Sequence, residues 1–161
     1  MNVFECIKQR RSVRSYTSRK ISEKALNKIL EAGRWAPSAG NGQPWQFIVI
    51  RDKGILRKIA EHARYGSFTA EAQLAIAVVT DPSTSWHIVD GSSAVQNMAL
   101  AAWEIGIGTC WLGSMEREEV KKILGVPDKL HLLTVLPFGY PAEVEPSTRK
   151  ELASMLHQDR W

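Results

Sequence analysis

The sequence has too few cysteines for a disulfide framework, and it lacks an apolar segment that could cross a bilayer. Its two cysteines, Cys6 and Cys110, stand far apart and outside any metal-binding spacing. No run approaches the roughly 20 apolar positions that a transmembrane helix needs. The first residues also lack the charged start and apolar run of a signal peptide. We therefore expect a cytoplasmic protein with reduced thiols.

The sequence also lacks the common catalytic and nucleotide-binding patterns. Its four histidines form no metal-binding spacing, and no phosphate-binding loop ending in Gly-Lys-Ser/Thr occurs. The segment 106–108 begins like a dinucleotide fingerprint, but Trp111 occupies the sixth position and the segment follows a predicted helix. We expect a helix end and a tight turn there. Without a catalytic constellation, any redox chemistry is expected to belong to a bound cofactor, with no metal site.

Acidic residues are scarce at the start of the chain. The net charge is +4, and the first twenty residues contain six basic residues against one acid, Glu5. Such an excess attracts nucleic acid, an anionic membrane or a small anionic ligand. The cluster Arg10-Arg11-Ser12-Val13-Arg14 combines guanidinium forks, which match phosphate oxygens, with a hydroxyl donor. From spacing alone, a phosphate site and a solvated basic turn both remain open.

Apolar periodicity predicts a mixed α and β domain that spans residues 1–161. The predicted helices are 2–10, 22–33, 53–63, 91–105 and 116–124, and the predicted strands are 47–50, 74–79, 109–112 and 132–136. Asn2 and Ser22 are expected to cap helices, and Gly125 to end one. Pro137 and Gly139 are expected to end the last strand. The polar tail after Pro146 has helical potential to about His157.

Two further polar segments are candidates for ligand contact. The loop 37–44 contains glycines that allow close backbone approach, together with the hydrogen-bonding side chains of Ser38, Asn41 and Gln43. Its composition alone also fits an ordinary connector. Arg149 and Lys150 form a third basic spot, and such a pair is usually solvated surface.

Five segments, in order along nearly the whole chain, resemble the nitroreductase family of FMN enzymes. They are residues 10–16, 35–47, 90–102, 106–113, and 139–141 with 149–150. The resemblance implies an α+β, three-layer α/β/α fold with a central, largely antiparallel sheet. It also implies an obligate homodimer with two FMN sites at the interface.

The resemblance implies roles at the two ends of the cofactor. Arg10, Arg11 and Ser12 resemble the family's ligands for the FMN phosphate and ribityl end, and Arg149 resembles its C-terminal phosphate ligand. Arg14 resembles the cation beside the flavin N1 and O2 edge, where it would stabilise reduced flavin.

The ring contacts implied by the resemblance come from both subunits. Leu112 and Gly113 resemble the backbone that runs beside the isoalloxazine ring. Pro37, Ser38 and Asn41 resemble the loop that reaches the flavin from the other subunit.

The activity implied by the resemblance is a ping-pong reaction. Hydride passes from NAD(P)H to FMN, and an electron-poor acceptor such as a nitroaromatic, a quinone or free flavin is then reduced. The chain has little room between Ile50 and Asp90 for the helical cover of larger members, so we expect an open pocket. The alternatives are a dehalogenase or flavin-fragmenting enzyme of the same family, a non-catalytic flavin carrier, and a basic nucleic-acid-binding module. The last is disfavoured by the Gly-Ser-Asn loop, so neither nucleic acid nor membrane is an expected partner.

Overall fold

The computed structural model describes residues 1–161. Five α-helices are present: α1 (Val3–Gln9), α2 (Glu23–Arg34), α3 (Lys53–Glu61), α4 (His87–Glu104) and α5 (Arg117–Leu124). Four strands are present: β1 (Trp45–Ile50), β2 (Leu74–Thr80), β3 (Gly108–Thr109) and β4 (His131–Gly139). Short 3-10 helices occupy Ala39–Asn41, Ser67–Glu71 and Leu152–Met155. None of the α-helices is long and apolar enough to span a membrane.

The four strands form one sheet in the order β1-β2-β4-β3, and every neighbouring pair is antiparallel. Side chains of β2 alternate between the two faces, so Ile76 lies in one apolar cluster and Ala77 in the other. Helices α2 and α4 cover the first face, for example through Ile29 and Met98. Helices α3 and α5 contribute to the second cluster. The predicted three-layer α+β fold with an antiparallel sheet is confirmed.

Local sequence accounts for most element ends. The side chain of Asn2 accepts a hydrogen bond from Glu5 N at 2.9 Å, and that of Ser22 accepts one from Ala25 N at 3.2 Å. Helix α5 ends at Gly125, whose φ of 65° is left-handed. Helix α4 ends before Gly106, which has φ 77° and turns the chain into β3. The three predicted caps and the predicted turn are confirmed.

The prediction that Pro137 ends the last strand is wrong, because β4 continues through it to Gly139. Main-chain groups alternate along a strand, so those of Pro137 point to the same side as those of Val135, away from β2. On that side Val135 O accepts from Leu112 N at 3.2 Å, and Pro137 O accepts from the Tyr16 hydroxyl at 3.3 Å. The missing N–H of proline therefore costs no hydrogen bond to β2.

Three other boundaries differ from the prediction for tertiary reasons. Helix α4 begins at His87 rather than 91, although it lacks a side-chain cap, because His87 Nδ1 lies 2.9 Å from Thr80 Oγ1 on the sheet. Strand β3 covers only 108–109, because residues 110–112 run beside β4 with a single main-chain hydrogen bond, from Leu112 N to Val135 O. The tail contains only the 3-10 turn at 152–155, because its residues are exposed and no packed face supports a longer helix.

We predict that the fold loses stability in mild acid because of His131. Its ring lies 5.4 Å from that of His87, and burial, followed by His87 and Arg117, lowers the pKa of His131. The unfolded chain therefore binds a proton at a higher pH than the folded chain does. Stability is full above the unfolded pKa of about 6.5 and falls as the pH drops through that value towards the folded pKa.

The His131→Gln variant should flatten this decline, measured as the urea midpoint between about pH 7.5 and 5.5. The exposed His157 provides a matched control, because His157→Gln should leave the slope of the wild type unchanged. An equal slope in wild type and His131→Gln would exclude this histidine as the cause.

Candidate functional site

The basic segment after α1 lies along the short strand β3. Val13 N donates to Thr109 O at 3.0 Å, and Ser12 pairs with the same residue in a parallel bridge. Val13 is 1% exposed, whereas its neighbours Ser12 and Arg14 are exposed. The alternation of an extended chain thus buries the valine and presents the polar side chains on both sides of it.

Two glycines allow this close approach. A Cβ at Gly108 would lie 2.4 Å from Val13 Cγ2, and one at Gly139 would lie 2.6 Å from Tyr16 Cδ1. The Tyr16 hydroxyl donates to Val13 O at 2.8 Å, and burial raises the pKa of that hydroxyl, so it remains a donor at neutral pH. Sequence reasoning missed this function of Gly139, which it interpreted as a strand end and as part of the resembling segment 139–141.

The segments 10–14 and 145–149 meet around a basic cavity of about 230 Å³, and no hydrophobic residue lines it. The lining residues are Arg10, Arg11, Ser12, Arg14, Glu145, Pro146, Ser147 and Arg149. The structure therefore brings together all five residues that the sequence analysis associated with phosphate or with the flavin edge. The remaining three, 145–147, were not predicted, and their ordinary composition gave no indication.

The cavity concentrates positive charge, because four arginines line it against one acidic residue, Glu145. None of the six ion pairs of the chain includes Arg10, Arg14 or Arg149. Burial, then the charge of Arg149, then that of Arg11 lowers the pKa of Arg10. This repulsion is relieved when a multiply charged anion binds between the guanidinium groups. The cavity is therefore suited to a phosphate group.

Arg11 and Arg149 also make local hydrogen bonds. Arg11 Nη1 donates to Lys8 O at 2.8 Å and to Arg10 O at 3.0 Å, which satisfies carbonyl groups at the end of α1. Arg149 Nη1 donates to Thr148 O at 2.7 Å. Each guanidinium has five N–H donors, so both retain donors for an anion.

A second cavity of about 190 Å³ adjoins the first at Arg14, and five of its eight lining residues are hydrophobic. Its lining residues are Arg14, Tyr65, Phe68, Cys110, Trp111, Leu112, Gly113 and Ser114. Arg14 lines both cavities, so the cationic pocket and the aromatic one are neighbours at this side chain. We call the two together the paired cavity. Its lining suits a ligand with an anionic end and an aromatic ring system.

The backbone beside the second cavity is held by β4. Leu112 N donates to Val135 O, and Leu112 O accepts from Thr134 Oγ1 at 3.1 Å. The N–H of Gly113, in contrast, donates to no group of the chain. Of the two residues predicted beside the ring, Gly113 therefore offers the free main-chain donor, and Leu112 offers apolar surface.

Cys110 lines the second cavity. It is a free cysteine that is 5% exposed. Burial raises the pKa of its thiol, against a smaller lowering by Arg14, so the thiol stays protonated at neutral pH. This environment is typical of a buried and inert thiol.

The predicted ligand-contacting loop, residues 37–44, does not contact the paired cavity of its own chain. Pro37 and Asn41 are exposed, Ser38 is half-buried, and none of them lines either cavity. The sequence analysis also missed Tyr65, Phe68 and Trp111. Trp111 lies inside a segment noted for its resemblance, whereas nothing in the local sequence distinguishes Tyr65 or Phe68 from ordinary packing residues.

Comparison with known proteins identifies relatives of similar length. The model of the Nitroreductase family matches residues 7–82 and 64–140. A protein of Archaeoglobus fulgidus, named for an inferred NADH dehydrogenase/NAD(P)H nitroreductase activity, is 38% identical, and the match covers 98% of this chain and 99% of that protein.

Solved structures show the same fold. A Parabacteroides distasonis protein, named for the same inferred activity, has a TM-score of 0.94 and 33% identity, with full coverage of both chains. A protein of Desulfovibrio desulfuricans, described as a nitroreductase and solved in complex with FMN, has a TM-score of 0.89 and 35% identity, covering 100% of this chain and 98% of that one. The family match and these similarities show that the chain belongs to the nitroreductase family.

Proposed function

We propose that the chain is an FMN-dependent oxidoreductase that takes hydride from NAD(P)H and reduces electron-poor acceptors, such as nitroaromatics, quinones or free flavin, by a ping-pong mechanism. The observation that carries this proposal is the paired cavity, in which unpaired arginines lead through Arg14 to an aromatic-lined cleft. FMN has a phosphate monoester at one end and an apolar ring system at the other. The whole chain, residues 1–161, would act as one FMN-binding domain.

The residues of the paired cavity fit FMN. Arg10, Arg11, Ser12 and Arg149 would hold the phosphate end, since they line the cavity in which arginines outnumber the single glutamate. At the other end, the N–H of Gly113 is a donor for a ring oxygen or nitrogen, with Leu112 beside it. FMN, when bound, supplies the hydride acceptor and the electron donor of the reaction.

Arg14 would provide electrostatic stabilisation at the reacting end. Its guanidinium lines both parts of the paired cavity and forms no ion pair in the chain, so its charge is available to a ligand. A fixed cation at the ring edge favours the state in which negative charge has developed there. The buried thiol of Cys110, in contrast, has no part in the proposed chemistry.

The Arg14→Ala variant should retain FMN but should be reduced more slowly by NADPH. The reduction potential of its flavin should fall by about 30 mV, which corresponds to about 1.4 kcal/mol for a two-electron couple. Potentiometric titration and stopped-flow reduction measure the two effects. Arg19→Ala, which removes a nearby exposed arginine outside the paired cavity, is the control. Unchanged potential and reduction rate in Arg14→Ala would remove this residue from the mechanism.

We further propose that the functional unit is a homodimer in which Pro37, Ser38 and Asn41 of one subunit complete the site of the other. Several large apolar side chains are exposed in the single chain, and such surfaces mark protein interfaces. Eight of the fifteen lie on α1, in the first turn of α4 and in the tail: Val3, Phe4, Ile7, Ile88, Val89, Leu152, Met155 and Leu156.

Light scattering should therefore report a dimer. Removal of FMN should shift the monomer–dimer equilibrium towards monomer, because a ligand bound only by the dimer stabilises it by mass action. The Phe4→Glu variant should weaken the dimer further, since its side chain is 68% exposed on α1 and would place a charge in the interface. A flavin-loaded protein that scatters as a monomer would contradict the shared site.

Flavin loading and reduction test the central proposal. Purified protein incubated with FMN and dialysed should retain about one flavin per chain, and anaerobic NADH or NADPH should bleach its absorbance at 450 nm. Acceptors from a panel should restore the colour, and steady-state plots should give parallel lines. Protein that remains colourless would overturn the proposal, and bound flavin that no nicotinamide reduces would indicate a carrier. The proposal places the enzyme in the cytoplasm, in agreement with its two free cysteines.

A further inference from the structure

Asp90 is a buried carboxylate that the proposed chemistry does not use. It is 6% exposed, and it lies at the fourth position of α4. None of the six ion pairs of the chain includes it. Its two oxygens share one donor from outside the helix, Ala39 N, at 3.2 and 3.3 Å. Burying a charge with so few partners costs free energy, so this contact is not explained by stability alone.

The loop that Asp90 contacts has an unusual backbone. Gly40, Asn41 and Gln43 have positive φ values of 56°, 57° and 45°. Left-handed conformations are unfavourable for residues other than glycine, and they occur often at functional sites. A Cβ at Gly40 would meet no atom within 4 Å, so packing does not hold this part of the loop.

Only one hydrogen bond joins residues 38–43 to another part of the chain, and it is the bond from Ala39 N to Asp90. The other bonds of these residues are internal, such as that from Gln43 N to Ser38 Oγ at 3.0 Å. The loop conformation therefore depends on where Asp90 holds Ala39.

The first turns of α4 pack closely against the sheet. The side chain of His87 is hydrogen-bonded to that of Thr80. Gly91 lies so close to the sheet that an added Cβ would meet Leu133 Cδ2 at 2.7 Å and Thr80 Cγ2 at 2.8 Å. A continuous series of contacts thus leads from β2 and β4 through α4 and Asp90 to the loop.

We propose that Asp90 is a positioning residue for the cofactor site: it fixes Ala39, and with it the neighbouring Ser38 and Asn41, in the conformation that meets the flavin of the partner subunit. This inference rests on the proposed function. Because the loop would meet the ring rather than the phosphate, loss of the Asp90 carboxylate weakens FMN and riboflavin alike.

The experiment compares Asp90→Ala and Asp90→Asn in the full-length dimer. Asparagine retains an acceptor oxygen of the same shape, so it should rescue most of the effect. Asp90→Ala should raise the Kd of both flavins roughly tenfold, corresponding to the loss of one hydrogen bond to a charged group. Glu104→Ala, at the exposed end of the same helix, should change neither Kd.

Hydrogen exchange of the peptide covering residues 38–43 provides a readout independent of flavin. In ligand-free protein, exchange should be faster in Asp90→Ala than in wild type and near the wild-type rate in Asp90→Asn. If Asp90→Ala does not fold, Asp90→Ser removes the carboxylate and leaves a small polar group.

The outcomes separate the two proposals. A wild type that binds no flavin overturns the proposed function, whereas the exchange measurement still tests whether Asp90 holds the loop. A folded Asp90→Ala or Asp90→Ser protein with unchanged exchange, or with unchanged Kd for both flavins, overturns the positioning role. A loss of FMN binding alone, with riboflavin unaffected, also overturns it, because it would place the effect at the phosphate.

Discussion

Replacement of Arg10 or Arg149 by alanine should weaken FMN binding about ten- to hundredfold. Each arginine offers charge-assisted hydrogen bonds to a phosphate, and one such bond is worth roughly 1.5–3 kcal/mol. Riboflavin lacks the phosphate, so its Kd should barely change. FAD should bind less well than FMN to the wild type, because its adenylate adds bulk where the arginines would close on a terminal phosphate. Fluorescence titration of the ligand-free variants measures these affinities.

The electrostatics of the basic cavity give this prediction a second readout. Burial, and after it the charge of Arg149, lowers the pKa of Arg10 in the ligand-free chain, so the two arginine charges repel each other. Removing either one should therefore not lower the thermal midpoint of the ligand-free protein, although it weakens FMN. The exposed Arg57 on α3 is the control, and Arg57→Ala should bind FMN like the wild type. An equal loss of FMN and riboflavin, or a lower midpoint without ligand, would show that these arginines support the fold instead.

The Gly108→Ala variant should be less stable than the wild type and should bind FMN more weakly. Its new Cβ would lie 2.4 Å from Val13 Cγ2 and 2.7 Å from Val13 Cβ. Valine is stiff at χ1, so the side chain cannot rotate away and the backbone must move. Such overpacking typically costs about 1–3 kcal/mol. The displaced segment carries Ser12 and Arg14, so both parts of the paired cavity should lose affinity for FMN.

A double variant isolates the cause. Val13→Ala removes the two Cγ atoms, which lie 2.4 and 3.0 Å from the added Cβ, and leaves only the Cβ at 2.7 Å, so Gly108→Ala in that background should recover part of the lost binding. The urea midpoint and the FMN Kd of the four proteins form a double-mutant cycle, and we expect a favourable coupling between the two substitutions. Purely additive losses, or a single Gly108→Ala variant that behaves like the wild type, would show that the close approach does not position the basic segment.

Local sequence information was sufficient where short-range chemistry decides the structure. The caps at Asn2, Ser22 and Gly125 depend on residues within a few positions, and their predictions were correct. The basic character of residues 10–14 was also evident from spacing. Spacing could not show that Arg149 lies beside these residues, because that contact depends on how the tail returns across the end of α1.

Tertiary contacts decided the features that the sequence did not reveal. Helix α4 begins early because His87 hydrogen-bonds to Thr80. Strand β4 continues through Pro137 because the main-chain groups of Pro137 point away from β2. The apolar half of the paired cavity depends on Tyr65 and Phe68, which reach it from a 3-10 segment and its preceding turn. Such contacts join residues far apart in the sequence, so periodicity and composition give no indication of them.

The exposed tail has a consequence for how the site is assembled. Residues 142–161 contribute no buried side chain to their own subunit, yet this stretch carries Arg149. The conformational entropy lost when the tail is fixed must therefore be offset by contacts from outside the subunit core, and in the proposed homodimer these would come from the cofactor phosphate and the partner chain. Under that proposal, retention of FMN would depend on the least self-supporting part of the polypeptide. Proteolytic trimming after Pro146 would leave the four-stranded sheet intact while removing Ser147 and Arg149 from the basic cavity.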